Sequence, residues 1–238
     1  MTWLKTRFMT SFMLRFAALA TMFVDHAGYV LYPRLEWMRI VGRVSFPLFC
    51  FLIAQGFRHT RSVPKYALRL ALFACVSEGV YNLVFSGKFA VLSAHNVFYA
   101  LLLALGALAA WKRFLPKWPL GALLSVLAAC ILAVVTKTDY GFWGVLLCLC
   151  FYLAGDSKPN QALALVATLG VFTLYRFLTR AASASWIWTQ WYCLASLPLI
   201  LLYNGKPGFR GGKWAFYLLY PAHLLLLWLI KTNAFGQF

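Results

Sequence analysis

The sequence predicts an all-α integral membrane protein, a bundle of about nine transmembrane helices, each drawn from the roughly 17–25 apolar residues that cross a bilayer. Three observations predict it. Of the 238 residues, 63% are hydrophobic and 11% are charged, against roughly 45–50% and about 25% in a soluble domain. That much apolar surface exceeds what one globular core can hide. The apolar residues also fall in long runs, and the linkers between runs are brief and carry turn signals: "YPRLE", "FSGKF", "LPKWP", "TKTDYG", "GDSKPN" and "NGKPGFRGG".

The predicted spans follow in order. Phe12–Tyr32 is the first, and because Met1–Arg15 leads straight into it with no small-residue cleavage site, no cleaved signal peptide is expected. Met38–Gly56 is the second, with Pro47 as an internal perturbation. Tyr66–Ser86, Asn96–Trp111 and Trp118–Val135 come next, then Tyr140–Ala154, short enough to be tilted or kinked. Ala162–Leu178, Trp186–Tyr203 and Lys213–Ile230 complete the set. No internal repeat and no disordered segment is visible, so residues 1–238 read as a single polytopic domain. Trp37, Trp111, Trp118 and Trp186 sit near span ends, as an interfacial aromatic belt requires.

The formal charge is +17, from 22 Lys+Arg against 5 Asp+Glu. In a soluble protein this would point to nucleic acid; here no nucleic-acid partner is expected, and the lipid bilayer is the partner. With the N-terminus inside, fourteen of the 22 cations fall on the cytoplasmic side and eight outside, the sense of the positive-inside rule. Six cysteines lie within apolar runs and form no CxxC or Cys/His pattern, so neither disulfides nor a metal is expected.

Several residues do not belong in lipid. Asp25 and His26 sit side by side in the first span, in "FVDHAGY". An ionisable residue inside a membrane is costly and marks a functional site by default. Adjacent side chains diverge by about 100° on a helix, so each is expected to find its partner on another helix. Arg39 and Arg43 share a face at i, i+4 spacing, as do Glu78 and Asn82. His95 and Asn96 open the fourth span, where Asn96 can also cap the helix. Asp139 and Tyr140 open the sixth, and His223 follows Pro221 in the last. In the predicted topology these groups gather in the outer half of the bilayer. The structural alternative is buried ion pairing, Asp25 with Arg43 for example, which adds little stability. The inner side differs: "GFRHTRSVPKYALRL" and "NGKPGFRGGK" are dense in cations and could hold phosphates, although the positive-inside bias alone accounts for charge there.

The runs "DHAGY", "RIVGRVSFPLFCFLIAQGFRHTRSVPKYALRLALF", "HNVFYALLLALG", "DYGFWGVL", "YNGKPG" and "FYLLYPAHLLLLWLIK", in this order from about Leu19 to Lys231, resemble the TraX family, that of the conjugative F-pilin acetylase. That family is related to the superfamily of multi-span membrane acyltransferases. The resemblance implies an acyltransferase-superfamily-like bundle in the bacterial inner membrane. It implies acetyl transfer from acetyl-CoA to an amine or hydroxyl, on a pilin N-terminus or another envelope molecule. Superfamily relatives use a membrane-embedded histidine early in the chain, and His26 stands at the matching position.

Combined with that resemblance, the residues give a two-zone scheme. Arg58, His59, Arg61, Lys65, Arg69, Lys206 and Arg210 are expected to bind the nucleotide phosphates of acetyl-CoA on the inner surface. His26 is expected to act as general base, with His223 as the second candidate. Asp25, Glu78 or Asp139 would orient it or hold a charged partner. Arg43 or Asn96 would stabilise the oxyanion. Covalent acetyl-histidine and ternary-complex routes both remain open. Two other function classes are compatible with buried Asp, His and Arg: a small-solute or ion transporter or flippase, against which the lack of a repeat counts, and a non-catalytic assembly partner.

Overall fold

Thr10 begins the bundle. In the computed structural model, which describes residues 7–89, 95–180, 183–209 and 213–235, its hydroxyl accepts from Met13 N at 3.3 Å and caps α1, Ser11–Val30. Leu14, Ala18, Met22 and His26 recur every fourth residue and form the buried stripe of that helix. Two short helical pieces follow, α2 (Glu36–Gly42) and α3 (Ser45–His59). They stand where the sequence predicts one span, and taken together they are long and apolar enough to cross a membrane. The break between them, at Arg43 and Val44, has a cause in Pro47. Proline has no N–H to give to the carbonyl four residues back, so regular α-helix resumes only at Ser45.

Next come α4 (Val63–Ser86), capped by Ser62, and α5 (Val97–Phe114), capped by the Asn96 side chain. The short apolar helices α6 (Pro119–Val135) and α7 (Gly141–Ala154) follow, and then α8 (Lys158–Thr179). Helix α7 occupies the middle of the bundle: Trp143, Val145, Leu147, Cys148 and Phe151 are all inaccessible. It packs on α3, α5, α6 and α8, which explains why it is apolar all round.

The predicted span Trp186–Tyr203 is corrected. It breaks into α9 (Ala184–Thr189), a 3₁₀ segment Gln190–Ser196 and α10 (Leu197–Leu201). Pro198 explains part of this, because it cannot donate to Leu194 O, and Leu197 N makes the shorter 3₁₀-type bond to that carbonyl instead. The 3₁₀ segment turns Gln190 and Ser196 into the interior, where both are buried. The last helix, α11 (Lys213–Phe235), carries Pro221 inside it.

The chain is therefore a helical, multi-pass membrane protein. Among the described residues five segments meet the length and apolarity needed to cross a bilayer, namely Glu36–His59, Val63–Ser86, Val97–Phe114, Lys158–Thr179 and Trp214–Ala234, with α6 and α7 as shorter apolar helices. The predicted count of about nine is not reached on that measure.

Close approach between the first two helices rests on glycine. A methyl group on Gly28 would sit 2.6 Å from Met38 Cβ, and one on Gly42 would overlap the Asp25 side chain. Small residues at such crossings bring backbones together in membrane bundles. Here they bring Arg39 and Arg43 onto Asp25.

The bundle has two distinct ends. At one, Ser11 N donates to Lys206 O, Arg58 reaches Tyr152 and Asp156, and Lys158 Nζ donates to Ile200 O. At the other, the ends of α1, α6 and α8 surround a cavity.

Candidate functional site

The cavity has a volume of about 580 Å³, and its lining includes Asp25, His26, Arg39, Arg43, Lys137, Asp139, Arg176 and five tyrosines, Tyr29, Tyr81, Tyr140, Tyr175 and Tyr220. Its size and mixed lining are those of a small-molecule site.

One wall is an ion cluster. Asp25 Oδ1 accepts from Arg43 Nη2 at 2.7 Å, and Oδ2 faces Arg39 Nη1 at 3.0 Å. Arg43 also donates from Nη1 to Gln190 Oε1 at 3.3 Å and from Nε to Arg39 O at 3.1 Å. A guanidinium carries five N–H groups, so Arg43, pinned on three sides, still has donors to spare.

A second wall holds two histidines. His26 Nδ1 lies 2.8 Å from His223 Nε2, and His223 Nδ1 lies 2.8 Å from Leu219 O. A backbone carbonyl only accepts, so His223 Nδ1 carries the proton of that bond. In neutral His223 the Nε2 then holds the lone pair, and His26 Nδ1–H must donate to it. The chain of bonds leaves His26 Nε2 as an unprotonated nitrogen on a residue that lines the cavity. Tautomer control of this kind, in which one ring nitrogen is fixed by what the other touches, is how histidine bases are prepared.

The third wall is the loop from α6 to α7. His95 N donates to Lys137 O at 3.2 Å and Asp139 N donates to His95 O at 2.9 Å. His95 Nδ1 is itself 2.7 Å from Glu78 Oε1. Glu78 thus acts on the cavity from behind, by fixing the residue that grips the loop. Lys137 and Tyr140 flank Asp139 with φ of 50° and 62°, a left-handed conformation that a non-glycine residue adopts only where its surroundings impose it. The Tyr140 ring stacks on Phe46 with centroids 3.6 Å apart. Burial pushes the Asp139 carboxyl up to about 6, against the opposing pull of Arg43.

The predicted site residues separate accordingly. Asp25, His26 and Arg43 meet at the cavity, and His223 stands directly behind His26. Asp25 pairs with Arg43, as the structural alternative anticipated, and with Arg39. Two expectations need correction. Glu78 does not touch His26; His223 does. Asn96 is wholly buried and occupied: its Nδ2 donates to Ala74 O at 2.8 Å and to Glu78 Oε2 at 2.6 Å, while Oδ1 accepts from Phe98 N. Neither Glu78 nor Asn96 lines the cavity.

Those predicted phosphate-binding residues that are described lie elsewhere, and none of them lines the cavity. Arg58 is engaged by the protein itself, donating to Tyr152 O and facing Asp156 at 3.8 Å. Arg69 lies over the Tyr66 ring at 5.5 Å. His59, Arg61, Lys65 and Lys206 are exposed. Arg210 lies outside the described residues. Among the described residues no group of three His, Cys, Asp or Glu side chains is placed to hold a metal ion.

Sequence reasoning overlooked Lys137, Arg176 and Gln190. The first two entered only the count of outer-side cations, yet a cation placed against the positive-inside bias was itself a signal. Gln190 was a lone amide in a predicted apolar span.

Comparison with known proteins adds the following. The family model described as TraX protein matches residues 11–231. A probable fimbrial assembly protein, FimC of serogroup H1 from Dichelobacter nodosus, is 31% identical over 234 residues, covering 92% of this chain and 94% of that protein. An uncharacterized protein of Rickettsia prowazekii is 24% identical over 163 residues, covering 68% of this chain and 61% of that one. No solved structure matches significantly.

Proposed function

The chain belongs to the TraX family, and on that premise we propose that it is a membrane acetyltransferase, moving acetyl from acetyl-CoA to an amine or hydroxyl acceptor with His26 as the base. The observation that carries this reading is the hydrogen-bond chain from Leu219 O through His223 to His26, which leaves His26 Nε2 unprotonated at a cavity. The fimbrial assembly relative supports a pilin or another envelope molecule as acceptor. The family and the cation bias support the inner membrane with a cytoplasmic N-terminus.

The chemistry then runs as follows. The acceptor nitrogen or oxygen attacks the thioester carbonyl carbon, and a C–N or C–O bond forms. His26 Nε2 takes the proton released by the nucleophile, a contribution of typically about 10²–10⁴ in rate. The tetrahedral oxyanion is met by the spare N–H groups of Arg43, which Asp25, Gln190 and Arg39 O hold in place. The C–S bond breaks, CoA leaves as thiolate, and the proton returns to sulfur from His26. A cavity of about 580 Å³ suits the acetyl thioester and the acceptor group, with the nucleotide held outside it. The exposed Arg61, Lys65 and Lys206 at the opposite end are the proposed counter-charges for that nucleotide, and the pantetheine arm passes between helices. Gln55 Nε2 and Ser77 Oγ, buried without partners on α3 and α4, offer it polar positions on the way.

The test is acetyl-CoA binding and slow hydrolysis by purified protein, wild type against His26→Ala and Arg61→Gln. Expected is binding with turnover in the wild type, turnover reduced at least about 100-fold with binding kept in His26→Ala, and weakened binding in Arg61→Gln. A folded His26→Ala protein with full turnover removes the base. No binding by the wild type removes the donor and turns attention to transport.

A further inference from the structure

Cations outnumber carboxylates around the cavity. Arg39, Arg43, Lys137 and Arg176 line it against Asp25 and Asp139. Asp25 is already shared by Arg39 and Arg43. Among the described residues no carboxylate lies within 4 Å of Lys137 or Arg176. An arginine in the last turn of a membrane helix usually snorkels outward or serves the helix dipole. Arg176 does neither cleanly: its guanidinium lies 4.6 Å over the Trp186 ring and 5.5 Å over Phe172, both cavity-lining, and its Nε is buried with no acceptor. A fork held flat by two aromatic faces, with a donor unused, is a preorganised anion receptor. Lys137 is gripped through its carbonyl by His95 and offers a second charge on the same rim.

We propose that Arg176 and Lys137 form a phosphate subsite of the cavity, and that the acceptor is a phosphorylated amine or alcohol whose phosphate docks there while its nucleophile faces His26. The excess of two positive charges matches a phosphate monoester, which carries about −1.5 to −2 near neutrality. A carboxylate would balance only half of it. The assignment of the ligand as acceptor rests on the acetyltransferase reading; the anion site itself rests on the cavity.

The experiment uses the full chain in lipid nanodiscs and needs no acetyl transfer. Binding of O-phosphoethanolamine and of ethanolamine is measured by calorimetry at matched ionic strength, for wild type, Arg176→Gln, Lys137→Gln and Arg61→Gln, with acetyl-CoA binding measured alongside. Expected is saturable binding of O-phosphoethanolamine at least about 10-fold tighter than ethanolamine, lost in Arg176→Gln and weakened in Lys137→Gln. Arg61→Gln should leave it unchanged, and acetyl-CoA should still bind both cavity variants. Lys137 is exposed, so its variant guards against a misfolded Arg176 protein. Two bilayers separate the sources of phosphate. If phosphatidic acid discs suppress the binding seen in phosphatidylcholine discs, the ligand is a lipid headgroup; if they do not, it is a water-soluble ester, and either result keeps the subsite. Equal binding of the two amines, binding indifferent to Arg176→Gln and Lys137→Gln, or loss of acetyl-CoA with the same substitutions overturns it, the last by giving the cations to the donor. No acetyl-CoA binding by the wild type would sink the acetyltransferase reading and leave the O-phosphoethanolamine results standing.

Discussion

Arg43 and Arg61 belong to the same half of the sequence and meet opposite fates. Arg43 is buried at the cavity, with hydrogen bonds to Asp25, Gln190 and the Arg39 carbonyl. Arg61 stands exposed at the other end, near the exposed Lys65. At the cavity end charge is fixed in direction before any ligand arrives, and a fixed charge in a poorly hydrated place is what stabilises a developing one. Arg61 and Lys65 are solvated instead, worth little to the fold and free to follow a polyanion. Cation density alone does not tell Arg43 from Arg61; the number of fixed partners does.

The contrast breaks most visibly at Asp25. Its removal leaves two arginines without their carboxylate, so Asp25→Ala is expected to destabilise the protein by about 3–5 kcal/mol, read as a fall in the thermal midpoint in detergent. A loss no greater than that of a surface substitution would mean the cluster is as loosely solvated as the other end. Gly42→Ala comes next. The new methyl overlaps Asp25 and should cost about 1–3 kcal/mol, whereas Gly106→Ala on α5, whose added carbon meets nothing within 4 Å, should be neutral or slightly stabilising by the same measurement.

Asp139 sharpens the comparison through pH. Its carboxyl titrates at about 6 in the fold and near 3.8 when free, so the folded state binds the proton more tightly. The stability it contributes is full below 3.8 and is lost as pH rises through about 6. Asp139→Asn should therefore flatten the decline of stability across that window and raise stability at pH 7 by about 1–2 kcal/mol, checked by thermal melts from pH 4 to 8. An unchanged profile would mean the carboxylate is well solvated. The smallest effect belongs to the exposed end: Lys65→Gln should move the thermal midpoint by less than the equivalent of about 0.5 kcal/mol, while making acetyl-CoA binding less salt-sensitive in a titration over ionic strength.

Much of this was legible before any coordinates. Apolar run length located the helices, because a bilayer sets that length, and Pro47 was visible as an interruption. Polar residues inside those runs marked Asp25, His26, Arg43 and His223, because lipid makes them costly. What periodicity could not supply was pairing between distant helices. His26 and His223 are 197 residues apart, and no local pattern joins them. Glu78 looked like a partner for His26 because both are ionisable in the same half of the bundle, yet it serves His95. The predicted eighth span failed where hydropathy averaged over Pro198, which cannot continue the α-helical bonding, and over Gln190 and Ser196, which the 3₁₀ segment buries.

The bond between His26 and His223 also has a meaning in time. His26 leaves the ribosome with the first helix, and the nitrogen that will fix its tautomer does not exist until α11 has been translated and packed against α1. Until then Nδ1–H has no set acceptor, and the imidazole can exchange its proton between both nitrogens. In the proposed reading, a nascent chain with most of its helices in the membrane still lacks its prepared base. The tautomer is set with the docking of α11, so that the proton of one histidine reports whether α1 and α11 have met.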